Sequence, residues 1–178
     1  MLPTTDGHVL AVATEDGRVA WERREQAEKL PIEPFVQGGV VYVNGKTPAV
    51  KVTDGTEIWS EPTADMYRIP AEWGPVTVHG DSVYSVGGMW LERRRRTDAK
   101  QLWIAPADAD NTRPALFQGT GVWMIDTSSE TVVRTVDEGE GYAVWTYELP
   151  EAERVALAVG GNRAFVVHGA SLHALPVF

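Results

Sequence analysis

Cysteine is absent from the 178 residues, which excludes a disulfide framework and thiolate metal sites. Positive charge is in deficit. Four lysines and twelve arginines face 25 acidic residues, the formal net charge is −9 and the pI is near 4.9. That balance argues against a nucleic-acid backbone or an anionic membrane surface as partner. No apolar run approaches membrane-spanning length. The opening residues Met1 to Gly7 lack a basic segment followed by an apolar one, so the chain reads as soluble and without a secretion signal. Helical periodicity is weak throughout; the best candidate, Glu22 to Leu30, reads as a charged connector closed by Pro31. Phosphate loops, dinucleotide fingerprints and Gly-x-Ser-x-Gly elbows are missing as well. The four histidines, His8, His79, His168 and His173, have no metal-ligand spacing and read as ordinary strand residues. The sequence thus offers no catalytic constellation, and the expectation is a protein that is not an enzyme, with neither cofactor nor metal.

What the sequence does contain is a repeat. Ala49-Val50-Lys51-Val52-Thr53-Asp54-Gly55-Thr56-Glu57-Ile58-Trp59 shares its Ala, Asp-Gly and terminal Trp with Ala11 to Trp21, and weaker copies end at Trp103 and Trp145. Each copy reads as a strand, a turn at Asp-Gly where positive φ is easily reached, and a second strand ending in a large aromatic. The four tryptophans are spaced by 38, 44 and 42 residues. A second aromatic series, Tyr42, Tyr84, Trp123 and Phe165, keeps spacings of 42, 39 and 42. A third marker lies upstream, where Pro34, Pro75 and Pro114 open short apolar strands that end before Gly38, Gly80 and Gly119; Val155 opens the equivalent strand before Gly160.

Three markers in one register predict four short antiparallel strands per repeat of about 40 residues, which is the blade signature of a β-propeller. A β-sandwich would not hold the three series in phase. The expected fold is all-β, with blade pieces at about 1–24, 31–61, 74–105, 113–148 and 153–178, about four blades' worth of chain. The N-terminal piece is expected to supply only a third strand, His8 to Ala13, and a fourth, Arg18 to Trp21. By register Ala174 matches Ala49, so the closing Trp of the last piece would fall at position 184. The ring then either closes on itself as four blades or is a stretch of a larger propeller, completed by further sequence or by a second copy of the chain as a homodimer.

The pattern Ala-x-x-x-x-(Thr/Asp)-Gly-x-x-x-Trp, preceded by a Pro-Val-like strand and a Val-Tyr-Val strand, resembles the repeat of the pyrroloquinoline-quinone-like (PQQ-like, quinoprotein-like) β-propellers. The likeness covers nearly the whole chain, closely at Trp21 and Trp59 and more loosely at Trp103 and Trp145, where Asp98-Ala99 and Glu140-Gly141 replace Asp-Gly. It implies that Trp21, Trp59, Trp103 and Trp145 dock between neighbouring blades, and it implies an extracytoplasmic location. It also frames two function classes. One is a non-catalytic scaffold or sensor module that binds another protein, as in the assembly lipoproteins sharing this repeat. The other is a relative or fragment of a quinone-dependent dehydrogenase, whose adjacent cysteines, calcium ligands and Asp base have no matching positions here.

Three polar features remain. The residues before the repeat glycines are Gln37, His79, Gln118 and Val159; the three polar ones are candidates for a channel-facing ligand site, or else strand ends bonded to nearby loops. The run Arg93 to Arg96 reads as a solvated, edge-protecting stretch, with an anion or acidic-partner site as the sharper alternative. Asp137 to Glu140 reads as an exposed turn, with weak cation binding as its alternative. Gly87-Gly88 and Gly160-Gly161 read as turns joining strands.

Overall fold

A computed structural model describes residues 2–3, 8–24, 34–43, 49–60, 75–87, 90–107, 115–126, 131–150 and 155–177. The strands among them are short and antiparallel, and each pairs with its immediate neighbour in sequence. The first sheet holds β1 (Leu2–Pro3), β2 (His8–Val12) and β3 (Val19–Arg24). The second holds β4 (Phe35–Gln37), β5 (Val40–Tyr42), β6 (Ala49–Lys51) and β7 (Glu57–Trp59). The third holds β8 (Val76–His79), β9 (Ser82–Gly87), β10 (Trp90–Arg95) and β11 (Gln101–Pro106). The fourth holds β12 (Leu116–Gln118), β13 (Gly121–Asp126), β14 (Thr131–Asp137) and β15 (Ala143–Leu149). The fifth holds β16 (Val155–Gly160), β17 (Arg163–His168) and β18 (Ser171–Pro176). The architecture is an all-β, partial β-propeller: among the described residues, three four-stranded blades stand between two three-stranded sheets.

The repeat register is the hydrogen-bond register. Trp21 lies opposite Ala11, Trp59 opposite Ala49, Trp103 opposite Arg93 and Trp145 opposite Thr135. Immediately after that pair, all four ladders shift by one residue in a β-bulge. A bulge turns one residue out of the alternation, which accounts for the solvent-facing Ile58, Leu102 and Val144 one place before their tryptophans.

The core is divided into four slabs, each between consecutive sheets. Val9, Ala11 and Trp21 meet Val41, Val43 and Val50; Tyr42, Ala49 and Trp59 meet Val76, Val78, Val83 and Ala99. Tyr84, Val86 and Leu91 meet Ala115, Val122, Met124 and Val136. Trp123, Ile125, Val133 and Leu149 meet Val155, Ala164, Val166 and Leu175. Strand alternation produces this layering, since both faces of an inner blade are buried and successive side chains serve opposite slabs. The first strands of neighbouring blades lie against one another, β4 against β8 and β12 against β16.

Some expectations change. The N-terminal blade is not limited to its third and fourth strands: Leu2 and Pro3 pair with Leu10 and Val9, filling the second-strand place. Too few residues precede His8 for an apolar pattern to reveal that pairing. Glu22 to Arg24, the start of the supposed charged connector, belong to β3, because the ladder opposite His8 to Leu10 continues past Trp21; residues 25–31 lie outside the described residues. Gly87 is the last residue of β9 rather than a turn, and Gly88 and Pro114 lie outside the described residues. In the fifth blade Phe165 pairs with Ala174, as Tyr42 does with Ala49.

Candidate functional site

The turn joining the last two strands is built the same way in the first three blades. Asp16, Asp54 and Asp98 each accept the backbone N–H two residues on, at 3.0, 2.9 and 3.1 Å, and the next residue takes a positive φ: Gly17, Gly55 and Ala99. In the fourth blade Asp137 accepts the N–H of Glu140 at 2.8 Å, and Gly141 takes the positive φ. This is why the sequence signature is Asp-Gly. A second reason comes from the preceding blade. A Cβ on Gly55 would come within 2.9 Å of the Trp21 ring, and one on Gly141 within 2.7 Å of the Trp103 ring. The glycine is the floor on which the indole rests. Replacing Gly141 with Ala should therefore cost about 2 kcal/mol or more, combining left-handed strain with displacement of Trp103. A urea titration showing less than half that loss would refute the floor. Ala99 occupies the third such place at φ 58°, buried with Trp59, so this blade alone carries a methyl group and its strain.

The same turn receives the indole N–H. Trp21 Nε1 donates to Val52 O at 2.7 Å, Trp59 Nε1 to Arg96 O at 2.9 Å and Trp103 Nε1 to Glu138 O at 2.9 Å. The amides of those three acceptors bond within their own blade to Gly39, Asp81 and Thr120 carbonyls, each at 2.9 Å. One residue thus ties two turns of its blade together through its amide and, through its carbonyl, holds the blade before it. Trp145 packs on Trp123 at 5.9 Å and stacks on Tyr147 at 5.7 Å.

Around this contact lies a layer of polar side chains, which takes in members of both charged runs; Glu138 to Glu140 form a turn exposed at Gly139 and Glu140, as read from the sequence. Arg96 Nε donates to Tyr42 Oη at 2.6 Å and its Nη2 to Gln37 O at 3.1 Å, both in the preceding blade. Arg93 donates to Ser82 Oγ at 2.8 Å and to Glu138 O, with its guanidinium over the Tyr84 ring. Arg94 is buried beside Glu92, 2.6 Å away, and Arg95 pairs with Asp98 at 3.0 Å. Arg93 to Arg95 do not lie on an edge, because β10 is an interior strand paired on both sides, and Arg96 opens the turn that follows it. Likewise Glu138 is no free turn residue: its carboxylate accepts Tyr84 Oη at 2.8 Å, and its carbonyl accepts Trp103 and Arg93. Burial raises the pKa of both phenols; for Tyr84 the Glu138 carboxylate adds to it, and for Tyr42 Arg96 opposes it. Both tyrosines stay protonated.

Gln37, His79 and Gln118 end β4, β8 and β12, just before Gly38, Gly80 and Gly119 with their positive φ. Their bonds run to the following blade rather than to one another. Gln37 accepts Arg96 through its carbonyl. His79 stacks on Phe117 at 4.6 Å with its Nε2 3.9 Å from Glu138. The Gln118 side-chain amide donates to Gly161 O. Arg96 and Glu138, which sequence reading passed over as contact residues, are the centre of this layer. The available signal was their position, three residues beyond the partner of each blade's Trp, where Val52 also stands.

The arrangement agrees with relatives. The family model described as outer membrane protein assembly factor BamB matches residues 1–132. The chain belongs to this family. No curated relative matches it significantly in sequence. BamB from Moraxella catarrhalis is similar in fold, with a TM-score of 0.75 and 14% identity over 98% of this chain and 53% of that one. The chain therefore spans about half the length of that relative. The computationally designed Ika4 protein has a TM-score of 0.64 at 10% identity, covering 86% of this chain and 96% of its own. A quinohemoprotein alcohol dehydrogenase from Pseudomonas putida reaches 0.52 at 21% identity, over 67% of this chain and 22% of that one. At these identities the solved structures speak for the fold alone.

Proposed function

We propose that this chain is a non-catalytic propeller scaffold that binds another protein, in the extracytoplasmic assembly of outer membrane proteins. The observation that supports this most is the use made of its polar side chains. Arg93, Arg96, Glu138, Tyr42, Tyr84 and Gln118 bond between blades, so the groups a sequence search would nominate for chemistry instead hold blades in register. A rigid frame of this kind leaves its loops and outer strands for recognition. Membership of the BamB-like family supplies the class of partner. We assign Gln37, His79 and Gln118 to blade cohesion on the same grounds, ahead of a channel-facing ligand role.

The dehydrogenase reading and the scaffold reading separate in two measurements. Mixing the chain with pyrroloquinoline quinone and calcium is expected to leave the visible spectrum of the quinone unchanged. A saturable new absorbance would support the alternative. Photo-crosslinking from exposed Tyr142 in cell envelopes, followed by mass spectrometry, is expected to trap a component of outer membrane protein assembly; recovery of none would refute the scaffold reading.

A further inference from the structure

The inner strands of neighbouring blades differ in length. In the fourth blade β12 begins at Leu116, opposite Trp123, although β13 continues to Asp126 in register with β14. Among the described residues, Met124 and Ile125 thus have no inner-strand partner. The third blade shares this step, since β8 begins opposite Ser85 and leaves Val86 beyond it. The fifth does not: β16 begins at Val155, opposite His168, and pairs with the whole of β17. A long inner strand beside two short ones leaves space between their starts.

That space is a cavity of about 210 Å3. Val86 and Met124 reach it from the slab between the third and fourth blades, and Leu116, Ile125, Val155 and Leu157 from the slab between the fourth and fifth. One cavity thus touches two slabs. Val86, Met124, Ile125 and Val155 are buried, while Ala156 is exposed, so the cavity opens to solvent beside Ala156. It lies at the starts of the inner strands, whereas Gln37, His79 and Gln118 mark their other ends. Every lining side chain is apolar. They offer no hydrogen-bond donor, and no acceptor but the weak Met124 thioether.

We propose that this cavity binds a small uncharged apolar molecule, the size of one aromatic ring with a short alkyl substituent. The assignment is independent of the scaffold reading. Water held in a cavity needs roughly two to four polar partners, and an apolar cavity of about 150 Å3 lined by Leu, Ile and Phe stays dry and takes up benzene. The present cavity has the same kind of lining and slightly more room. Pockets for drug-sized ligands run to roughly 300–1,000 Å3, which excludes larger molecules, and the lining leaves a charged group without compensation. The walls cannot close on the space, because they are sheet faces fixed by their own ladders. A bound molecule supplies the dispersion contacts that the lining otherwise forgoes, and it does so across three consecutive blades. Occupancy therefore stabilises their stack by mass action.

Toluene is the probe that tests the proposal. Titrated into the 178-residue chain with its methionine methyl groups isotopically labelled, toluene is expected to move the Met124 resonance saturably, and Met124→Leu identifies that resonance. The melting temperature should rise along the same isotherm. Benzoate, the same ring carrying a charge, is expected to change neither reading. Leu157→Trp fills the space with an indole and should weaken toluene binding at least tenfold, its far-UV spectrum serving as the check on its fold. Should that variant fail to fold, the comparison of toluene with benzoate on the parent chain still decides. Absence of a saturable shift, or an equal response to benzoate, would overturn the proposal. A folded Leu157→Trp that binds toluene as tightly as the parent would overturn the assigned place.

Discussion

Trp59→Ala is expected to destabilise the chain by about 3–5 kcal/mol, the range for emptying a large aromatic site that cannot collapse, and to lower the melting temperature by roughly 6–20 °C in a chain of this size. Trp59 is 8% exposed. Its ring lies 6.4 Å from that of Tyr42 and packs with Val76, Val78, Val83 and Ala99 of the next blade. Burying an indole of roughly 200 Å2 at ~25 cal/mol/Å2 contributes on the order of 5 kcal/mol before entropy is subtracted. Collapse is blocked because both walls of the site are β-sheet faces fixed by their own ladders. Trp59→Phe separates the contributions: it keeps most of the apolar area but removes the donor to Arg96 O, for about 1–2 kcal/mol including the carbonyl left without its partner. Thermal and urea unfolding followed by circular dichroism measures both. An alanine variant that melts with the parent would show that the indole is not a blade anchor.

The loss should also have a direction. Trp59 joins the second blade to the third, so its removal weakens the slab containing Tyr42 and Ala49 and leaves the Trp103 contact with Glu138 in place. Repeat folds behave as a sum of unit stabilities and nearest-neighbour interfaces. Hydrogen exchange should then accelerate first in β4 to β7 and only later in β12 to β15.

What the sequence made legible follows from which residues obey the repeat. Trp21, Trp59, Trp103 and Trp145, with Tyr42, Tyr84, Trp123 and Phe165, recur because every slab has the same depth and needs the same volume at the same place. Their spacing was enough to give the strand order within a blade and the register match of Ala174 to Ala49. Arg93 to Arg96 broke the repeat, and composition alone suggested solvent. The physical outcome differs because an alternating strand sends Arg93 and Arg95 to one side and Arg94 to the other, and only the ladder shows that β10 is covered on both sides. Leu2 and Pro3 escaped for a different reason: a two-residue pairing has no periodicity to detect. The polar layer was half visible. Gln37, His79 and Gln118 stood out by position, whereas their contacts Arg96, Glu138 and Gly161 lie in the following blade, 59, 59 and 43 residues away, and no local pattern connects them.

Arg94 and Glu92 carry the second large prediction. Arg94 occupies the place held by Val50 and Val136 in the neighbouring blades, directly after the bulge. Its side chain is 10% exposed and that of Glu92 6%, with Nη2 and Oε1 2.6 Å apart. Arg94 Nη1 also donates to Ala99 O at 3.1 Å, in the turn that supports Trp59. Removing one charge leaves the other in a slab of valines, so Glu92→Ala is expected to cost about 3–5 kcal/mol. Replacing both with apolar residues of similar volume, Glu92→Leu with Arg94→Met, removes both desolvation penalties and should be neutral or stabilising by about 1–4 kcal/mol. A pH series adds a sign. Burial raises the Glu92 carboxyl above its ordinary range, with the Arg94 hydrogen bond and charge pulling it back. The native state therefore holds this proton more tightly than the unfolded chain does. Its contribution to stability is fully present below the unfolded carboxylate pKa and is lost as pH rises through the elevated native value. Equilibrium unfolding across that window should show the parent losing stability relative to the double variant, with the difference constant above it. A double variant as unstable as Glu92→Ala would mean that the pair holds the Ala99 turn in place through its bond to Ala99 O and does not merely neutralise two buried charges.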